Sequence, residues 1–590
     1  MSNLIVYKAS AGSGKTFRLA AEYIKLVVSD PLEYKRILAV TFTNKATAEM
    51  KGRILEELKA LADGKKTAML DIVAKETQVN PDLIPLKASK ALSNILHDYS
   101  RFSVSTIDSF VQRIIQALLW EIGQQGGADI RLDFNPVLER AADIMLDESV
   151  DNPALFEWLK RMGESQLEEG KTWDIRNALV TLGKELFSES FRLMKPNEIS
   201  KFTDKEQVEK LKVDLNKILN GTSSQISQIG KESLRIIAEH GLCEKDFVYG
   251  GGGVYGFFVK CSVFESGDII PPLDGARVQK AVDDPTGESW VKAEDRKNKP
   301  KFAEITNLVS TTLHPNLLKI KEIAEKSYLS YNSSRLVLRN LNSLAILTDL
   351  WLTIRKLSTE EGFMLLADSG PLLREFVKET DAPFVYEKAG TRYEHFMIDE
   401  FQDTSVIQWQ NFKPLIENSL AQDGFSMVVG DVKQAIYRWR NGDWRILSSG
   451  LEKDFELLGV TYKPLDVNRR SLPSVVEFNN LFFTGAAKVL NEVTNEMLAD
   501  KEFSSVNRDD FSKAYENVEQ KVSKENSGSG YVEVKFIPDV EKSFKENLSK
   551  YLPSLISDIQ KRGYKAGDIA ILVRANREGQ EIANMLLTHK

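Results

Sequence analysis

The segment Ala9-Ser10-Ala11-Gly12-Ser13-Gly14-Lys15-Thr16 constrains this chain more than any other. It follows an apolar run, Leu4-Ile5-Val6-Tyr7, and precedes a stretch in which Leu19, Tyr23, Ile24 and Val27 recur at helical spacing. A strand, a small-residue loop and a helix in that order turn backbone N–H groups inward on phosphate oxygens. The helix beginning near Gly14 adds its N-terminal dipole. In such a loop Lys15 reaches the β- and γ-phosphates and Thr16 holds magnesium. Ala9 stands where the pattern has its first glycine, and the competing reading is an ordinary small-residue turn.

The alternation continues. Residues 37–42 and 102–105 predict strands, followed by a helix over about 47–62 and another carrying Phe110, Val111, Ile114 and Leu118. This implies an α/β fold with a parallel sheet and crossover helices. From about 120 to 370 amphipathic helices dominate; over 333–354, Leu336, Leu338, Leu341, Leu344 and Leu347 read as core. The run Gly250-Gly251-Gly252-Gly253, beside Tyr249, Val254 and Tyr255, lacks a following Lys-Ser/Thr and reads as a flexible loop rather than a phosphate site. Sheet signals return at His395-Phe396-Met397-Ile398 and Ser426-Met427-Val428-Val429. Val460-Thr461-Tyr462, a polar linker at 526–530 and strands near 531–536 and 568–573 follow.

Composition narrows the classes. With 590 residues, 42% hydrophobic content and a net charge of −7, the chain has material for several cores, which excludes wholesale disorder. Net acidity argues against a bulk nucleic-acid coat but leaves room for a locally basic groove. Cys243 and Cys261 match no zinc spacing and fit a reducing, cytoplasmic setting. No apolar run has membrane-spanning length, and the N-terminal one is too short for a signal-peptide core.

Far downstream of Lys15, an apolar strand ends in Asp399-Glu400. In a nucleoside triphosphatase the first carboxylate serves the magnesium shell and the second orients or deprotonates the attacking water. Many strands end in acidic residues, but here Phe401-Gln402-Asp403-Thr404 follows.

These segments, with Thr41-Phe42-Thr43-Asn44-Lys45-Ala46, Ser105-Thr106-Ile107-Asp108-Ser109-Phe110, Gly430-Asp431-Val432-Lys433-Gln434-Ala435-Ile436-Tyr437-Arg438-Trp439-Arg440, Asn468-Arg469-Arg470-Ser471 and Ile569-Ala570-Ile571-Leu572-Val573-Arg574, come in one order. In that order the chain resembles a superfamily 1A DNA helicase of the UvrD/Rep type, and within it the RecB/AddA branch. The resemblance implies a RecA-like first core over 1–118 and 375–455, a helical insertion over 119–374 and a partial second RecA-like core over 456–590.

It also implies roles. ATP and magnesium are the cofactors. Gln434 senses the γ-phosphate, and Arg470 contacts it with a planar, always charged guanidinium. Arg440 joins the nucleotide site. Arg469 stands where relatives often have an adenine-stacking aromatic, and a guanidinium can stack there. Phe42, Tyr437 and Trp439 line the single-strand path, where each base offers a π-face. Thr41, Asn44 and Ser105 belong to the DNA set, Thr41 and Ser105 as backbone-phosphate ligands. The competing reading makes the three aromatics core, Arg440 an ion-pair residue, and Lys433, Arg438 and Arg445 a solvated basic face.

The function implied is an ATP-dependent DNA helicase of double-strand-break repair and recombination, acting on single-stranded and duplex-end DNA, with a second subunit of AddB/RecC type as partner. The alternatives are a nucleotide-regulated single-strand clamp without unwinding and an unrelated P-loop kinase or ATPase. Only eight residues precede Ala9, which leaves out the upstream glutamine motif that reads adenine in relatives. No later helicase motif or nuclease site follows Arg574, and Glu533-Val534-Lys535 lacks its preceding Pro-Asp. The expectation is an N-terminal portion of a longer motor–nuclease polypeptide, binding ATP weakly and not unwinding DNA alone.

Overall fold

Ten strands arise in the computed structural model, which describes residues 3–588 except 78, 122–128, 132, 169, 171, 195–204, 274, 380–391, 499–508, 525, 527 and 538–543. They are β1 (Leu4–Ala9), β2 (Ile37–Thr41), β3 (Val104–Thr106), β4 (Asp129–Arg131), β5 (Phe363–Leu365), β6 (His395–Ile398), β7 (Ser426–Gly430), β8 (Thr461–Leu465), β9 (Val467–Asn468) and β10 (Lys521–Val522). Six form one sheet in the order β3-β2-β6-β7-β1-β8. β2 runs parallel to β3 and β6, and β6 parallel to β7, with Ile398 opposite both Val40 and Val428. Every residue of β2 and β7 is buried, as expected of apolar strands covered on both faces. The Ser426 N–H donates to the Asn3 carbonyl at 3.0 Å, which sets the starts of β1 and β7 side by side.

The pairing of β2 with β6 has a topological consequence. The long helical region leaves the sheet after β3 and returns at β6, the two strands that flank β2, so it is an insertion between two strands of one sheet.

The chain divides into two units. The first holds residues 1–7, 16–430 and 434–463. Helix Lys15–Ser29 buries Leu19, Tyr23, Ile24 and Val27 as their spacing predicts. Helix Asn44–Ala62 starts earlier than expected because the Thr43 hydroxyl accepts the Ala46 N–H at 3.1 Å, an N-cap. Beside β1, the Tyr7 hydroxyl donates to Glu22 Oε1 at 2.7 Å, and Arg18 bridges Glu22 and Glu76.

The insertion has two apolar cores, one including Leu138, Met145, Leu347 and Leu350, the other Phe247, Phe258, Trp290 and Leu317. Helix His314–Glu361 contributes to both. Of the leucine stripe, Leu341 and Leu347 are core, but Leu336 is 53% exposed, a correction. One helix serving two successive cores does not keep a single face inward. The glycine run is also not the expected loop. Gly250–Gly252 is a 3-10 turn whose Gly251 N–H donates to Glu244 Oε1 at 2.8 Å, and a Cβ on Gly256 would collide with the Gly251 carbonyl. Close backbone packing explains the composition.

The second unit holds residues 8–15, 431–433 and 464–590, with helices Pro473–Met497, Phe544–Lys561 and Asn576–Thr588. The strands expected near 531–536 and 568–573 are not formed; Phe536 is 89% and Leu572 95% exposed. An apolar, β-branched run becomes a strand only where a neighbour takes its ladder hydrogen bonds, and no strand among the described residues does so. The strand anticipated at 460–462 is β8, at the edge of the six-stranded sheet rather than in a sheet of its own. Ser527 of the polar linker, Pro538 and Asp539 lie outside the described residues.

Candidate functional site

In the first unit the site is built at the end of β6. The Asp399 N–H donates to the Val40 carbonyl at 2.9 Å, so the ladder runs on to the first carboxylate, and Asp399 is buried. The chain then reverses sharply. Glu400 has φ 49° and ψ 42°, in the left-handed region, and its N–H donates to Asp399 Oδ1 at 2.9 Å. A non-glycine residue held there costs roughly 1–3 kcal/mol and persists where the surroundings over-determine it. The surroundings here include Gln402, whose amide donates to Glu400 Oε2 at 2.8 Å and Asp403 Oδ2 at 3.3 Å. Gly430 closes the other side of Gln402; a Cβ there would lie 2.8 Å from Gln402 Oε1.

Phe401, Gln402, Asp403, Thr404 and Ser405 are all buried, and they carry the next segment. Ser405 bridges antiparallel to Gly442, and the Asp443 N–H donates to the Thr404 carbonyl at 3.0 Å. A Cβ on Gly442 would lie 3.0 Å from the Asp403 carbonyl oxygen, so glycine permits this approach. The docked segment bears an aromatic shelf. Phe42 and Tyr437 have ring centroids 4.8 Å apart, and Tyr437 and Trp439 5.8 Å. The Arg440 guanidinium lies 4.7 Å from the Trp439 centroid, 5.7 Å from Tyr437 and 5.9 Å from Phe42. Trp439 is 72% exposed, which is not how a core tryptophan sits.

The remaining expected residues of this unit divide. Asn44 is exposed and Thr16 half-buried at the start of its helix. Gln434 ends the 3-10 turn Val432–Gln434 and is half-buried. Thr41 is fully buried and its hydroxyl has no hydrogen-bond partner; the Ser105 hydroxyl is likewise buried and unpartnered. Thr41 ends the fully buried strand β2, and Ser105 is the middle residue of the edge strand β3. Arg440, expected at the nucleotide, is grouped with the aromatics. Arg445 is paired with Asp443 at 2.8 Å and its side chain is 67% exposed.

In the second unit the phosphate loop folds on itself and on 464–590. Gly12 and Gly14 have φ of 71° and 84°. The buried Ser13 hydroxyl donates to the Ser10 carbonyl at 2.8 Å, and the Ser10 N–H donates to the Leu465 carbonyl at 3.2 Å. The Arg469 N–H donates to the Gly12 carbonyl at 2.9 Å, and Gln520 Nε2 to the Ala11 carbonyl at 2.7 Å. A Cβ on Gly12 would lie 2.7 Å from Asn468 Oδ1 and 2.9 Å from Arg470 Cβ. Asn468 Oδ1 accepts the N–H groups of Arg470 and Ser471, at 2.9 and 2.8 Å. The expected arginine motif is thus packed against the loop, with Arg469 and Arg470 exposed, and Lys433 is paired with buried Asp431 at 2.8 Å.

Sequence reasoning assigned no role to Gln402, Gly442 or Gln520. Gln402 stood inside a recognised motif. Gly442 and Gln520 act through backbone approach and a long-range hydrogen bond, which leave no local pattern.

The family model described as the UvrD/REP helicase N-terminal domain matches residues 1–456. Among relatives, the chain is 24% identical over 528 residues to an ATP-dependent helicase/nuclease subunit of Bacillus pumilus, covering 84% of this chain and 39% of that protein. It is 25% identical to the protein of the same name in Listeria monocytogenes, covering 82% and 38%. It is 23% identical to the RecBCD enzyme subunit RecB of Haemophilus influenzae, covering 75% and 37%. The chain therefore spans under two-fifths of the length of these relatives.

Proposed function

We propose that this chain, which belongs to the UvrD/REP helicase family, is the ATP-hydrolysing motor portion of a DNA helicase that moves along single-stranded DNA in double-strand-break repair and recombination. One observation carries the reading. The segment that fixes Glu400 through Gln402 is hydrogen-bonded, at Thr404 and Ser405, to the segment that presents Trp439 and Arg440. A hydrolytic carboxylate and a base-stacking shelf joined in this way suit an enzyme that converts nucleotide state into grip on a strand.

The roles follow from chemistry. Backbone N–H groups of 9–15 cradle the phosphates and Lys15 neutralises their charge. Glu400 orients or deprotonates the water, with Gln402 holding its carboxylate. Thr16 and the buried Asp399 would hold magnesium through a hydroxyl and a carboxylate, hard-oxygen donors that suit that ion. Bound there, the ion neutralises charge developing on the phosphates. Gln434, Arg469 and Arg470 complete the nucleotide set, and Phe42, Tyr437, Trp439 and Arg440 the single-strand path.

The relatives are named as subunits, of an ATP-dependent helicase/nuclease and of the RecBCD enzyme, and on that footing the reading includes DNA as substrate, duplex ends among its forms, a second subunit of AddB/RecC type as partner and a cytoplasmic setting. Among the described residues no helix is long and apolar enough to cross a membrane. ATP hydrolysis measured with and without a single-stranded oligonucleotide tests the reading. Stimulation by DNA, abolished in Lys15→Ala, is expected; nucleotide binding without any DNA-responsive turnover in the full-length protein would make it a clamp instead.

A further inference from the structure

We propose that Glu189, a carboxylate of the helical insertion, is a positioning residue for hydrolysis at Glu400; this rests on the reading of Glu400 given above. Glu189 opens the short helix Glu189–Arg192 and is only 7% exposed. Its Oε1 accepts the Ile407 N–H at 2.5 Å, across 218 positions of sequence. The Val406 N–H and the Ser405 hydroxyl address the same carboxylate.

A buried carboxylate is costly unless hydrogen-bonded. This one is satisfied by the first, otherwise orphaned N–H groups of helix Val406–Ala421, where negative charge is also favoured by the helix dipole. That helix already has its own capping box, Ser405 with Gln408. Glu189 is therefore not its cap but a tether between the insertion and the chain leaving Glu400. Arg192, one turn along, pins the tether: its guanidinium pairs with Asp368 at 2.9 Å and donates to the Ala367 carbonyl.

On its other side the same stretch is held by the segment bearing Trp439 and Arg440, through Gly442 and Asp443. Asp443 adds like charge towards Glu189 and is itself paired with Arg445 at 2.8 Å. The stretch is thus held by the aromatic-shelf segment at 403–405 and by the insertion at 405–407, and it begins one residue from the amide that sets the Glu400 carboxylate. A displacement of the insertion is passed through Glu189 to Ser405, Gln402 and Glu400.

The test is steady-state ATP hydrolysis by the full-length protein on saturating single-stranded DNA, with kcat expressed per nucleotide-binding site. Glu189→Ala should lower kcat about tenfold with KM for ATP within about twofold, because water activation rather than phosphate binding is disturbed. Glu189→Gln, whose amide oxygen still accepts the Ile407 N–H, should recover kcat to within about threefold of the parent. A purely structural residue would lower the number of binding sites and leave kcat per site unchanged; that result, or Glu189→Ala at the parent rate, overturns the proposal. Glu400→Gln runs alongside. If it is inactive while Glu189→Ala is unimpaired, only the positioning role fails; if it hydrolyses at the parent rate, the reading of Glu400 fails and takes the proposal with it.

Discussion

The side-chain amide of Gln402 donates to Glu400 Oε2 at 2.8 Å, across a left-handed residue that could not hold this geometry alone. Gln402 is buried, and glycine at 430 leaves room for its side chain, since a Cβ there would lie 2.8 Å from Gln402 Oε1. Gln402→Ala should lower kcat for ATP hydrolysis by about ten- to a hundredfold with little change in KM, since the amide aims a base rather than binding phosphate. Steady-state kinetics checks this; an equal loss of ATP affinity would place Gln402 in nucleotide binding.

Gly12→Ala combines two penalties, a φ of 71° and a Cβ 2.7 Å from Asn468 Oδ1. It should cost about 1–3 kcal/mol and weaken ATP binding, because the loop must part from the arginine motif packed on it. Gly52 in helix Asn44–Ala62 meets nothing within 4 Å, so Gly52→Ala is the control. It should stabilise by about 0.5–1 kcal/mol in thermal melts.

Trp439 is exposed and backed by Arg440 at 4.7 Å. Trp439→Ala should cost roughly 1–3 kcal/mol of single-strand affinity with folding intact. Titration of a labelled oligonucleotide reads this directly; unchanged affinity and unchanged stimulation of hydrolysis by DNA would take the shelf out of the strand path.

Glu76 ties helix Ala68–Glu76 to the helix that follows the phosphate loop. Hydrogen bonding from Arg18 against opposing desolvation, with Lys25 adding, lowers its carboxyl from 4.5 to about 2. A folded-state pKa below the unfolded one means stability present above about pH 4.5 and lost as pH falls towards 2. Glu76→Gln should melt lower at pH 7, by about 1 kcal/mol given its partial exposure, and the gap should close as the pH is lowered through that window. A gap independent of pH would show that the ion pairs contribute nothing.

Much of this site was legible because its parts are local in sequence. A strand, small residues and Lys15-Thr16 declare a phosphate loop by adjacency, and Asp399-Glu400 declare themselves by closing an apolar strand. What stayed hidden depends on distance. Nothing near Glu189 announces that it meets Ile407, and nothing near Gly442 announces that the Asp403 backbone lies against it. The failures have the same root. Leu336 carries a core-like spacing, yet its helix serves two cores in succession. The runs at 531–536 and 568–573 have strand composition without a neighbouring strand, among the described residues, to pair with.

In the proposed function Glu400 activates water while the phosphate loop and Asp399 bind the nucleotide. Glu400→Gln keeps the shape of the side chain and removes the base. The decisive measurement pairs nucleotide binding with single-turnover hydrolysis of ATP, in the presence of magnesium and single-stranded DNA. The account predicts ATP affinity within about threefold of the parent and hydrolysis reduced at least about a hundredfold. Hydrolysis at the parent rate with binding intact would contradict it.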